Sequence, residues 1–152
     1  MKTILILGQS LYEVVFAIGI AAIIITGVLV VSTTSVRNST YSKNNSQATK
    51  YAQEEMEWLR GQRDAGWDSF VTNIDTGGCT AGNFSWGGVG GNCTVGDIYT
   101  RTANFTCRDS AGGVVMCDST ASMVDASVSI SWTDAQGDHI VTSVSKFTDW
   151  NK

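Results

Sequence analysis

The chain has 152 residues, 43% of them hydrophobic, and a formal charge of −4, which leaves room for one small domain plus an anchor and excludes two full domains. From residue 61 onward five Lys and Arg stand against ten Asp with no basic stripe, so no specific nucleic-acid partner is expected. The four cysteines, Cys79, Cys93, Cys107 and Cys117, lack the Cys-x-x-Cys spacing of a zinc site; an oxidising compartment accounts for them, and no metal or other cofactor is expected.

Aliphatic residues crowd into residues 11–31, and within residues 14–31 Thr26 is the one clearly polar side chain. A run of about eighteen to twenty such residues crosses a bilayer as a helix. A cleavable secretory signal would have an apolar core of roughly 7–15 residues followed by a small-residue cleavage site, whereas this run leaves through Val30, Val31, Ser32, Thr33 and Thr34. The predicted membrane segment is residues 9–31, with Ala17, Ala21, Gly19 and Ala22 small enough to let packed helices approach closely.

Glu13 opens this run. An acidic side chain within a spanning helix costs roughly 2.5–3.5 kcal/mol at its centre and is retained where it has a partner. No Lys or Arg lies between Lys2 and Arg37. A cut between Gly8 and Gln9 would place a new amino group one helical turn before Glu13, on the same face, and the helix dipole would add a further favourable term of several tenths of a kcal/mol.

Read in order, Gly8, Gln9, Ser10, Leu11, Tyr12, Glu13 and Val14 resemble the cleavage and methylation motif of the type IV prepilin family: a leader ending in Gly, a residue whose amine is methylated, a Ser/Thr-Leu pair, a glutamate at the fifth mature position and a long apolar run. Gln9 stands where many members carry Phe, and the leader is more apolar than usual. The resemblance implies a leader of residues 1–8 removed by a prepilin peptidase at Gly8 and Gln9, with assembly through Leu11 and Glu13. It implies a single-pass precursor in the cytoplasmic membrane, N-terminus in the cytoplasm, that then joins copies of itself or pilin co-subunits in an extracellular filament. Flanking Lys and Arg alone favour the opposite orientation; the cysteines, the turn-rich downstream region and the motif outweigh them.

Residues 32–60 are expected to continue the first helix outside the membrane. Ala48, Ala52, Met56 and Leu59, with Tyr51 alongside, form an apolar stripe at i, i+3 and i+4 spacing, with Glu54, Glu55 and Glu57 mostly off that face. Gly61 is read as the helix C-cap, and residues 61–70 as a loop whose Trp67 and Phe70 pack on the helix. Residues 61–152 make a β-rich head with disulfides. Residues 76–92 form a Gly-rich loop held by Cys79 and Cys93, in which Phe84 and Trp86 serve core packing rather than a partner surface.

Strands are predicted at residues 97–107 and 114–117, forming a hairpin that brings Cys107 opposite Cys117, the simplest of three possible connectivities. The clearest strand is residues 123–133, where Val124, Ala126, Val128, Ile130 and Trp132 alternate with polar residues. Residues 139–150 return beside it, with Ile140, Val144 and Phe147 or Val141 supplying apolar contacts. This pair, ending in Phe147, Thr148, Asp149 and Trp150, resembles the C-terminal sheet of minor pilins and pseudopilins.

The fold class is therefore α+β: a long N-terminal helix, half transmembrane and half amphipathic, against a small antiparallel sheet. No motif of a hydrolase, phosphate-binding or dinucleotide site is present, and His139 has no evident charge-relay partner. The acidic turn residues Asp134 and Asp138 are read as solvated rather than as a calcium site. The expected function is structural, as a subunit of a type IV pilus or pilus-like filament and not an enzyme. The alternatives are a minor pseudopilin of a type II secretion or DNA-uptake system, and an anchored extracellular binding domain that never polymerises.

Overall fold

The computed structural model describes residues 11–75, 86 and 93–149, excluding the side chain of Asp75. The elements in chain order are α1 (Leu11–Ala65), α2 (Trp67–Asp75), β1 (Cys93–Val95), β2 (Tyr99–Arg108), β3 (Met123–Asp134) and β4 (Gly137–Thr148). The fold is α+β, as expected. Two compact units divide between Lys43 and Asn44, the first holding the apolar part of α1 and the second its C-terminal part with everything downstream.

Helix α1 contains no proline, so its backbone ladder meets none of the interruptions that residue imposes. Its Ser- and Thr-rich stretch stays helical, although these side chains compete for backbone hydrogen bonds. Here several satisfy that tendency inside the helix: Thr34 donates to the Val30 carbonyl at 2.9 Å and Thr40 to that of Val36 at 3.1 Å, the back-bonding pattern helices tolerate.

Gly61 does not cap α1, which runs one further turn to Ala65. A glycine within a helix weakens it by about 1 kcal/mol without ending it. The interruption falls instead at Gly66, whose N–H donates to the Arg63 carbonyl at 3.2 Å and whose carbonyl accepts from Phe70 at 3.0 Å. The predicted loop of residues 61–70 is thus the end of α1 and the start of α2, whose strong amphipathic pattern puts Trp67, Phe70, Val71 and Ile74 inward.

The sheet is an antiparallel meander in the order β1-β2-β3-β4. Strand β3 alternates as predicted, with Val124, Ala126, Val128, Ile130 and Trp132 buried. Its two-residue turn sets β4 in register by pairing Asp134 with Gly137, so that Val124 faces Phe147 and Ile130 faces Val141. Because side chains alternate with a period of two, Phe147 and Val141 turn inward while Ile140 and Val144 point outward, 66% and 75% exposed. The expectation that Ile140 and Val144 supply core contacts is corrected by that parity.

Residues 114–117 form no strand; Val114 makes one isolated bridge to Arg108. Asp97 lies in the turn before β2. The three-residue β1 escaped prediction because it is too short to show a period. Its turn into β2 uses Gly96 at φ +62°, where a Cβ would lie 3.1 Å from the Tyr51 hydroxyl.

The core joins Ala48, Ala52, Met56 and Leu59 of α1 to the inner faces of α2 and the sheet. Trp67 Nε1 donates to the Ala121 carbonyl at 2.9 Å, and the Phe70 ring meets that of Phe147 edge-on at 5.5 Å. Trp86 belongs to the core periphery, 4.7 Å from the ring of Trp58 and donating to Gln62 Oε1 at 3.0 Å. Phe84 and Trp150 lie outside the described residues.

Cys107 and Cys117 are disulfide-bonded, the sequence-adjacent pairing, with Cα atoms 5.2 Å apart. Cys93 is also in a disulfide; Cys79 lies outside the described residues. The loop between Cys107 and Cys117 is further held by Asp109, whose Oδ1 accepts from Ala111 and Gly113 N–H groups at 2.9 and 2.8 Å. Closing a loop of this size stabilises the fold by about 3 kcal/mol in the chain-entropy account. Replacing both Cys107 and Cys117 with Ala should lower the unfolding free energy by about that amount, measured by chemical denaturation of the full chain in detergent; an unchanged midpoint would show that the surrounding hydrogen bonds suffice.

Candidate functional site

The first candidate site is the start of α1. Leu11 and Glu13 both lie in its first turn and are exposed, and Glu13 heads a shallow strip with Phe16, Ala17 and Ile20 at helical spacing. Gly8 and Gln9 lie outside the described residues. Among the described residues, no ion pair or hydrogen bond forms at Glu13, and the next basic residue, Arg37, is 24 positions on, about 36 Å along a helix.

Behind Glu13 the helix is apolar on every side. From Leu11 to Val31 every side chain is exposed, with Phe16 73%, Ile23 74% and Val31 70% exposed. A helix hydrophobic all round belongs in a membrane or in the core of an assembly. By length and composition α1 is able to cross a membrane. At Gly19 and Gly27 an added Cβ would meet open space, which leaves bare backbone available for close approach by another helix.

The second feature is a buried ion pair that fastens the sheet to α1 within the second unit. Glu55 and Arg101 are 1% and 2% exposed, with Arg101 Nη1 3.3 Å from Glu55 Oε2. Glu55 therefore faces inward, against the expectation that it lies mostly off the apolar face. Positions 48, 52, 55 and 59 are all buried and share one helical stripe, so the spacing itself carried the signal. Arg101 likewise takes an inward place in β2, in alternation with Tyr99 and Ala103. Burial pushes the Arg101 guanidinium below its ordinary pKa, while Glu55 and then Glu54 act in the opposite sense.

Beside this pair runs a row of rings from α1 across the sheet. Tyr51 meets Tyr99 at 5.3 Å, Tyr99 meets Trp132 at 5.9 Å, and Trp132 stacks on His139 at 5.1 Å. The Tyr99 hydroxyl donates to the Asn44 carbonyl at 3.3 Å; burial and then Tyr51 raise its pKa.

His139 does have an acidic partner: its Nε2 lies 3.0 Å from Asp134 Oδ1. That carboxylate sits below its ordinary range, chiefly because Gln136 N–H donates to it, with His139 second. Asp138 instead accepts from Thr133 at 2.6 Å. Among the described residues, no group of three or more His, Cys, Asp or Glu is placed to hold a metal ion. The His139 and Asp134 pair spans the tip of the β3-β4 hairpin, where it braces the turn.

Comparison with protein families, with curated proteins and with solved structures finds no match to this chain.

The ion pair makes a sharp prediction. Removing one partner leaves the other charge buried and alone, which costs about 3–5 kcal/mol, whereas replacing both with apolar residues of similar size is near neutral or stabilising. Glu55→Leu and Arg101→Met should each strongly destabilise the head, and the double variant should regain most of the loss. A denaturation double-mutant cycle measures this; additive losses would contradict the coupling.

Proposed function

We propose that this chain is a prepilin-type structural subunit, inserted through α1, cleaved after Gly8, and assembled into a type IV pilus or pilus-like filament by packing of the apolar helices. The observation that carries the reading is the placement of Glu13: a carboxylate in the first turn of a helix whose segment to Val31 is apolar and exposed, without a basic side chain nearby. Such a group needs a cation supplied from outside the helix's own side chains. Cleavage would supply one as the Gln9 amine, four positions before Glu13 in sequence and so one turn away on the same face of a helix that began there.

In an assembled bundle the Glu13 carboxylate neutralises a Gln9 amine, in its own chain or a neighbour's. A subunit entering out of register leaves both charges unpaired in an apolar environment, so the pair sets the axial position of the subunits as well as holding them. The precursor lies with its N-terminus in the cytoplasm and its disulfide-closed head outside, where oxidation of Cys107 and Cys117 is favoured. The head then forms the filament surface. Its role is architectural, and catalysis is assigned to no residue.

Glu13→Ala should insert into the membrane as well as the natural chain, since it removes a charge from the apolar segment, but should lower filament yield at least about tenfold, equivalent to about 1.4 kcal/mol per assembly step. Membrane fractionation and electron microscopy of sheared filaments measure the two quantities. Normal filament yield would contradict the role given to Glu13, and an absence of filaments from the natural chain itself would make an anchored, non-polymerising domain the better account.

A further inference from the structure

The long open edge of the sheet carries a pattern complementary to itself. Among the described residues β4 is an edge strand, twelve residues long and paired along its other side with β3. Its hairpin closes through two residues with Asp134 opposite Gly137, which makes that pair hydrogen-bonded and, in alternation, turns the backbone groups of the even-numbered residues of β4 outward. The same residues point their side chains away from the core: Asp138, Ile140, Thr142, Val144 and Lys146 are all exposed. Neither a proline nor a bulge blunts this edge, although proteins ordinarily protect edges of such length.

Between Asp138 and Lys146, short of Thr148 at the end of the strand, that outward row reads from either direction as a charge, then an apolar residue, then Thr142, then an apolar residue, then the opposite charge. We propose that β4 is an interface for a second copy of this chain, the two strands pairing antiparallel about a two-fold axis through Thr142. In that register Asp138 faces the second copy's Lys146, Ile140 faces its Val144, and Thr142 faces its own equivalent. The five directly opposed pairs are of the hydrogen-bonded kind, giving about ten inter-strand bonds. A slip of two residues places Ile140 against Lys146 in one direction and Asp138 against Val144 in the other. Parallel in-register pairing sets like charges side by side, which is destabilising.

Charge complementarity therefore selects both the partner and the register. Intrachain contacts hold the charged ends in place: Thr133 donates to Asp138 at 2.6 Å, and Lys146 Nζ lies 3.5 Å from Asp125. A two-fold contact closes on itself and does not propagate along a polar filament. It joins two unassembled subunits, or heads on two separate filaments, and stands independently of leader cleavage.

Cysteine cross-linking of the full chain in detergent micelles tests the register. Opposed Cα atoms in a hydrogen-bonded pair lie about 5.5 Å apart, within disulfide reach. Under mild oxidation Thr142→Cys should give at least about tenfold more covalent dimer than Ile140→Cys alone, whose two copies would be offset by about 14 Å along the strands. Mixing Ile140→Cys with Val144→Cys should restore the link. Lys146→Glu should weaken the Thr142→Cys link, and adding Asp138→Lys should bring it back. Equal linking by Thr142→Cys and Ile140→Cys alone would point to association through the membrane helix and overturn the proposal. So would silence in both Thr142→Cys and the mixed pair, which would leave the edge to another occupant.

Discussion

An apolar surface that its own chain leaves bare governs this protein. From Leu11 to Val31 the side chains of α1 are exposed all round, and burial of each large aliphatic or aromatic one contributes about 1.5–3 kcal/mol. Summed along the segment this is tens of kcal/mol, far above the net stability of a small domain. The segment is therefore stable only in lipid or among other helices. Glu13, placed where the apolar run begins, turns that general requirement into a specific one, because the surroundings must also satisfy a carboxylate.

The second unit meets its own needs differently. Its core is closed by the C-terminal part of α1, α2 and the inner face of the sheet, and it accommodates two charges by setting Glu55 against Arg101. Such a pair adds little net stability beyond what apolar residues would give, but it penalises any docking of helix on sheet that separates the charges. The ring row from Tyr51 to His139 and the disulfide at Cys107 complete the platform. That platform presents a polar outer face and the open β4 edge.

Much of this architecture was legible in the residues. The stripe through Ala48, Ala52 and Leu59 and the alternation of β3 are period signals that burial imposes directly, and the apolar segment of α1 shows by its length alone. The misreadings arose where a global constraint decided a local choice. At Glu55 charge points to exposure, whereas the spacing of 48, 52, 55 and 59 puts it on the buried stripe. At Gly61 a glycine suggests a stop, but the adjoining residues carry the helix through to Ala65. At β4 both parities offered apolar residues, and the two-residue turn from Asp134 to Gly137 settled which faced inward. Pairing of Arg101 with Glu55 joins residues 46 positions apart in sequence, so local patterns could suggest its members but not their meeting.

In the proposed filament, Glu13 depends on an ammonium group that cleavage after Gly8 would generate. Intact-mass and N-terminal peptide mass spectrometry of the protein isolated from its native membrane or filaments tests this most directly. The account predicts a mature chain that begins at Gln9, with or without a methyl group on its amine. A chain that still carries Met1 through Gly8 would contradict it, since Glu13 would then face the apolar phase without the cation that the proposed assembly requires.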